Sequence, residues 1–274
     1  MLDVIAGLLA LLAGLGGGAG YFADRSAREL LVDQLDEVDV LEVRVQAQPN
    51  YSILRGRVDR VLVAGRGLYI APYPRIEVIE IETDRIDLDI ASLTRGPVTF
   101  ESPLRAAARV SISEADLNAS LRMPEILEQF QGLSADLPLG QTQDESQVLD
   151  LVAPEVDFLA GNRLELSAQL VSRNPESDAP VTADDILDVK FTADVTVERG
   201  QRLRLVNPEF EFDEVPVPRE LSDAFLGGLN EALDLGDLEE QGILARVLSL
   251  EISEDKLEVV GFIQVDSFAD LQGD

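Results

Sequence analysis

The stretch Pro97–Ser113, PVTFESPLRAAARVSIS, alternates with a period of two. Val98, Phe100, Ser102, Leu104, Ala106, Ala108, Val110 and Ile112 form one face. Thr99, Glu101, Pro103, Arg105, Ala107, Arg109 and Ser111 form the other. Successive strand side chains point to opposite sides of a sheet, so the pattern predicts one dry and one wet face. At ~3.3 Å per residue the run would span about 50 Å, against ~17–20 Å for an ordinary strand. A strand of that length implies a large sheet curved around something elongated. A second run, Leu187, Val189, Phe191, Ala193, Val195 and Val197, repeats the pattern and closes on a turn at Arg199-Gly200-Gln201.

The same periodicity places the other elements. Ala27, Leu30, Leu31 and Leu35 have helical spacing within Asp24–Leu35. Leu41, Val43, Val45 and Ala47 alternate as a strand that stops at Pro49-Asn50. Tyr51–Ile70 holds two alternating pieces, Leu54/Gly56/Val58 and Val61/Val63, whose change of phase at Asp59-Arg60 predicts a β-bulge. Gly65 and Gly67 permit a bend or a close backbone approach. Ile76–Ile90 carries strands with further phase changes. Ser113-Glu114-Ala115-Asp116 reads as an N-cap, with Leu117 and Leu121 one helical turn apart behind it. Gln131–Gln147 is rich in Gly, Ser, Gln and Asp and reads as a loop and internal joint. Pro218 precedes a further helix bearing Leu221, Phe225, Leu229 and Leu233, and Leu248–Val265 reads as a closing hairpin. The expected fold class is α+β: a long, strongly coiled antiparallel sheet wrapped around amphipathic helices, with an N-terminal apolar helix. One domain, 24–274, would follow an apolar segment at 1–23.

That segment, Val4–Ala23, is nearly the ~20 residues a bilayer crossing needs. Only Met-Leu-Asp precedes it, so the basic start of a secretory signal is missing. It reads as an export signal or membrane anchor, with a buried helix as the alternative.

Composition narrows the chemistry. The 274 residues contain no His and no Cys, which removes disulfides, thiol nucleophiles, imidazole or thiolate metal ligands and histidine acid–base catalysis. Neither Lys190 nor Lys256 stands in a serine–lysine motif, and no G-x-S-x-G elbow occurs. A net charge of -30 argues against nucleic acid and against simple electrostatic docking on an anionic bilayer. The acidic clusters Glu80/Glu82/Asp84, Asp87/Asp89 and Asp234/Asp237/Glu239/Glu240 lack EF-hand spacing. They read as solvated faces, with calcium or paired-carboxylate chemistry as alternatives. No enzyme, metal or cofactor is indicated.

What remains is apolar. Small residues on a long strand either let another element pack closely or leave volume for an acyl chain. Groove-lining candidates from alternation are Val98, Phe100, Leu104, Ala106, Ala108 and Val110 on the first run, and Val189, Phe191, Ala193 and Val195 on the second.

YSILRGRVDRVLVAGRGLYI, then RIEVIEIETDRIDLDIASL and RVSISEADLNASL, resemble the LmeA-like phospholipid-binding family. The distinctive parts are the G-x-V-D-x-V-x-V-x-G-x-G pattern from Gly56 to Gly67 and the strand–helix junction Ile112–Leu121. The resemblance covers about Asp24 to Val265. Members are bacterial envelope proteins, cyanobacterial ones among them, and the family is similar to tubular lipid-binding proteins that hold lipid in an apolar cleft. The resemblance implies non-enzymatic binding of phospholipid or a similar amphiphile in the cell envelope, membrane-anchored or exported to the periplasmic side. A scaffolding envelope protein with a filled core and a protein partner is the alternative.

Overall fold

The computed structural model describes residues 28, 32, 35–87, 101–128, 133–134, 148–173, 186–213, 215–217 and 234–265. Among them are fourteen strands and two short helices. Every strand pair is antiparallel.

The first sheet has six strands. In spatial order they are β1 (Glu37–Gln46), β3 (Arg60–Tyr69), β4 (Ile76–Thr83), β6 (Leu104–Ser113), β14 (Lys256–Val265) and β13 (Ile243–Ile252). The second sheet runs β12 (Val215–Pro216), β11 (Arg202–Phe212), β10 (Ile186–Glu198), β9 (Arg163–Arg173), β8 (Val148–Leu159) and β7 (Leu133–Ser134). A two-stranded ribbon pairs β2 (Arg57–Val58) with β5 (Ile86–Asp87).

Local sequence explains the breaks. Asn50–Arg55 is a 3-10 turn, not a strand, and Gly56 ends it in the left-handed region at φ 75°. The phase change at Asp59 is a switch of partner rather than a bulge within one pairing. Val58 pairs with Ile86 in the ribbon, and Arg60 starts the pairing with β1. Asp59 holds this step: its N–H donates to Gln46 O at 2.8 Å and its Oδ2 accepts from Gln48 N at 2.6 Å. Gly65 is a close approach, since a Cβ there would lie 2.6 Å from Leu68 Cδ1 and 3.0 Å from Ile79 Cγ2. In the second sheet, Gly161-Asn162 and Arg199-Gly200 take positive φ at the hairpin tips, as tight turns between twisted strands require.

Two expectations are corrected. Among the described residues of the Pro97–Ser113 run, 101–113, the strand begins at Leu104 and has ten residues. Pro103 has no N–H for a ladder, and Glu101 N bonds to Asp87 O on the ribbon instead. Val98 and Phe100 lie outside the described residues. Nor do the described residues form an α+β roll: they are mostly β, and neither sheet curls strongly around a helix. Helix α1 (Glu114–Leu121) is short: its fully buried residues are Asn118 and Ser120, with only Leu117 and Leu121 packed against the second core, so it is too small an apolar stripe for a sheet to wrap. Helix α2 (Pro124–Leu127) is one turn. Of Asp24–Leu35, Arg28 and Val32 are helical. The 1–23 segment, the Pro218–Leu233 helix and most of the 131–147 joint lie outside the described residues. The Leu187–Val197 strand and the closing hairpin form where expected, with the first extended to thirteen residues.

The two sheets are joined through α1. Ser113 caps it, its Oγ accepting from Asp116 N at 3.0 Å. Asn118 Nδ2 donates to Val156 O, and Asn118 Oδ1 accepts from Val156 N, both at 2.7 Å. Glu114 Oε2 accepts from Phe158 N at 2.6 Å. Asn162 repeats the device: Oδ1 accepts from Ile252 N at 2.7 Å and Nδ2 donates to Leu250 O at 3.3 Å. On the other flank, Ser120 Oγ donates to Pro72 O at 2.7 Å and Arg75 reaches Asp116.

Asn118→Ala should therefore cost about 3 kcal/mol, because two buried backbone groups lose their partners together. Ser113→Ala removes one cap and should cost about 1 kcal/mol. Urea unfolding of both variants checks this, and equal, small losses would refute the clamp.

Candidate functional site

Strand register assembles the apolar face of the first sheet into rows. One row is Val43–Val63–Ile81–Ala108–Gly261–Val247, crossing all six strands. The next is Leu41–Gly65–Ile79–Val110–Val259–Leu250. At the end remote from α1 the row Leu104–Val265–Ile243 is shut, with exposures of 1%, 0% and 4%. Ile53, Val58 and Ile86 close that end from the 3-10 turn and the ribbon.

The middle of the face is different. Ile81, Ala108, Val110, Val259, Gly261 and Ile263 are only partly buried. Ala108 stands opposite Gly261, so two of the smallest side chains meet across β6 and β14 and the face is shallow there. Gly261 is small for a reason in the neighbouring strand. The register of β13 shifts after Val247, and Arg246 O would lie 3.2 Å from a Cβ at 261.

The second sheet shows the same grading. Val156–Leu166–Phe191–Phe210 form one row and Phe158–Leu164–Ala193 another. Phe191, Ala193 and Val195 are core. Farther along, Ala168–Val189–Phe212 and Leu151–Leu170–Leu187 are partly buried. Phe210 stacks edge-on with Phe212 at 5.1 Å. The two faces meet where Leu250, Ile252 and Leu257 of the first sheet join the Val156/Phe158/Phe191 cluster beside Leu117 and Leu121 of α1.

The eight candidates among the described residues thus separate, Val98 and Phe100 lying outside them. Leu104 and Ala106 lie in the tightly packed end, and Phe191, Ala193 and Val195 lie in the second core. Ala108, Val110 and Val189 line the partly buried strips. Ile81, Val259, Gly261, Ile263 and Phe212 share those strips and were not singled out from sequence. Alternation marked the Leu257–Val265 strand, but only the register sets Gly261 against Ala108.

A depression of about 510 Å³ on the first sheet is lined by Glu42, Arg44, Leu62, Glu80, Glu82, Ala107 and Arg109 of its polar face, and Val63, Ile81 and Ala108 also contribute to its lining. Its charges are paired. Arg109 contacts Glu258 at 2.8 Å and Glu80 at 3.3 Å, and Arg60 contacts Glu82 at 2.8 Å. The hydrogen bond from Arg109 holds the Glu258 carboxyl below the usual range. On the second sheet, burial pushes Asp157 up, reinforced by Glu114, Glu155 and Glu165. The acidic clusters do not converge. Asp87 meets Arg57 and Arg85, Asp234 meets Arg202, and Glu239 meets Arg246. Among the described residues no group of three or more carboxylates is placed to hold a metal ion. No helix among them is long and apolar enough to cross a membrane.

The family model described as LmeA-like phospholipid-binding matches residues 14–262 of the chain. No curated protein and no solved structure matches it.

Glu258 and Asp157 act oppositely on stability. Glu258 has a lowered folded-state pKa, so its contribution is present above the ordinary glutamate value and lost as pH falls through the lowered one. Asp157 has a raised one, so its penalty is present at neutral pH and relieved as pH falls through the raised value. Melting temperature against pH should show Glu258→Gln less stable at neutral pH with a flatter acid limb, and Asp157→Asn more stable at neutral pH. Parallel curves for wild type and both variants would contradict the assignment.

Proposed function

Because the chain belongs to the LmeA-like phospholipid-binding family, we propose that it binds a phospholipid or similar amphiphile non-enzymatically, with acyl chains lying on the partly buried apolar strips. The observation that carries this is the Ala108–Gly261 trough in an otherwise aliphatic face. Six strands at ~4.8 Å spacing make that face about 24 Å across, the order of length of an extended acyl chain. Burying ten methylenes would contribute about 8 kcal/mol before the entropy of association is subtracted. The depression on the polar face is a poorer seat, since an acyl chain there would strip water from Arg44, Arg109 and three carboxylates.

The site of action we propose is the bacterial cell envelope, facing the periplasm. The apolar run Val4–Ala23 supports this reading as export signal or anchor. The scaffolding alternative becomes the better reading if the strips are filled by the protein itself.

Native mass spectrometry of protein purified without detergent should find phospholipid at a defined stoichiometry. An empty protein that also takes up no fluorescent lipid would sink the proposal. Two substitutions distinguish trough from core. Ala106 is 7% exposed, so Ala106→Trp should overpack and cost about 1–3 kcal/mol or more. Ala108 is partly buried, so Ala108→Trp should block uptake with a near-wild-type melt. If Ala108→Trp unfolds the protein instead, the strip is filled core.

A further inference from the structure

We propose that the junction between the two sheets tightens in acid, with Asp157 of β8 controlling how firmly Glu114 of α1 holds the Phe158 amide. The inference is independent of lipid binding and rests on the geometry of the junction. Helix α1 grips β8 on either side of Asp157. Asn118 bonds to both Val156 N and Val156 O at 2.7 Å, and Glu114 Oε2 accepts from Phe158 N at 2.6 Å. Asp157 lies between these two residues, partly buried, and its partner across the ladder is Glu165 of β9.

Among the described residues, the charged groups that act on Asp157 come from four elements. Glu114 belongs to α1, Glu155 to β8 itself, Glu165 to β9, and Lys190 of β10 is the cation that opposes them. Lys190 is already committed to Glu165 at 2.7 Å, and Glu155 to Arg122 at 3.2 Å. Burial is the main reason that the Asp157 pKa is raised, and Glu114, Glu155 and Glu165 add to it in that order. A charged Asp157 therefore repels the same carboxylate to which Phe158 N donates, and works against that hydrogen bond. Because the folded-state pKa is the raised one, this penalty is present at neutral pH and is relieved as pH falls through the raised value. Protonated Asp157 leaves Glu114 to the amide. The effect is felt where the two apolar faces meet, since Leu250, Ile252 and Leu257 reach the second core beside Leu117 and Leu121 of the same helix.

Amide hydrogen exchange of the full chain, followed by NMR from neutral pH down to the ordinary aspartate value and corrected for intrinsic exchange rates, tests the proposal. Protection of the Phe158 amide should rise severalfold on acidification relative to the Val61 amide, which is bonded to Thr83 Oγ1 at 2.9 Å in the first sheet. The midpoint of that rise should coincide with the titration of the Asp157 carboxyl in the same spectra. In Asp157→Asn the Phe158 amide should be severalfold better protected than in wild type at neutral pH, and the rise should vanish. Lys190→Gln removes the opposing cation and should move the midpoint to higher pH, whereas Glu155→Gln should move it to lower pH. If Asp157→Asn fails to fold, agreement or disagreement of the two wild-type midpoints decides. A flat Phe158 profile, a rise that persists in Asp157→Asn, or a midpoint that neither charge variant moves overturns the proposal.

Discussion

The pair of hydrogen bonds between the Asn118 amide and the Val156 peptide is the interaction on which the arrangement of this protein depends. Two antiparallel sheets, each able to close its own hairpins, have no common ladder to fix them to one another. A side-chain amide matches a peptide group donor for acceptor, so it can stand in for a strand where no strand fits. Asn162 makes the same match to Leu250 and Ile252 from the other side. With Glu114 on Phe158 and Ser120 on Pro72, α1 becomes a rivet whose fully buried residues, Asn118 and Ser120, hold by hydrogen bonds, beside the apolar contacts of Leu117 and Leu121. Such bonds are directional, and an unpaired member is costly in a dry junction, so the rivet selects one orientation where apolar contact would tolerate several.

That orientation makes two amphipathic faces into one surface. Leu250, Ile252 and Leu257 serve both as the end of the first face and as part of the second core. Away from this junction the packing loosens along each sheet, toward Ala108 and Gly261 on one and toward Val189 and Phe212 on the other. The polar faces are stitched by ion pairs such as Arg109 with Glu258 and Lys190 with Glu165. Exposed pairs of this kind contribute little stability each. Their consequence is to keep charge on one side of each sheet and leave the other side to apolar contact.

Much of this was legible along the chain. Alternation placed β10 and the β13–β14 hairpin, and Ser113 marked the entry to α1, since both signals are local. Other features misled for equally physical reasons. Leu54, Gly56 and Val58 share a strand's period, yet Asn50–Arg55 coils into a 3-10 turn because Gly56 provides the left-handed residue that ends it. The alternation through Pro97–Ser113 ran past the point where Pro103 and the Glu101–Asp87 bond stop the ladder. Spacing also could not separate trough from core. Ala106 and Ala108 occupy equivalent positions in the pattern, but only the second faces a glycine across the sheet.

The sequence by itself determined the β-rich class, the dry and wet sides of each strand, the absence of histidine and cysteine chemistry, and the family resemblance carried by Gly56–Gly67 and Ile112–Leu121. Each of these is a property of neighbouring residues or of counts. Only the tertiary structure decided that Asp59 is a switch between pairings, that Asn118 joins the sheets, and that Ala108 meets Gly261. It also placed Arg57 and Arg85 on one carboxylate, that of Asp87. Those facts depend on strand order and register, which bring together residues up to about half the chain apart, and no local period encodes a partner at that distance.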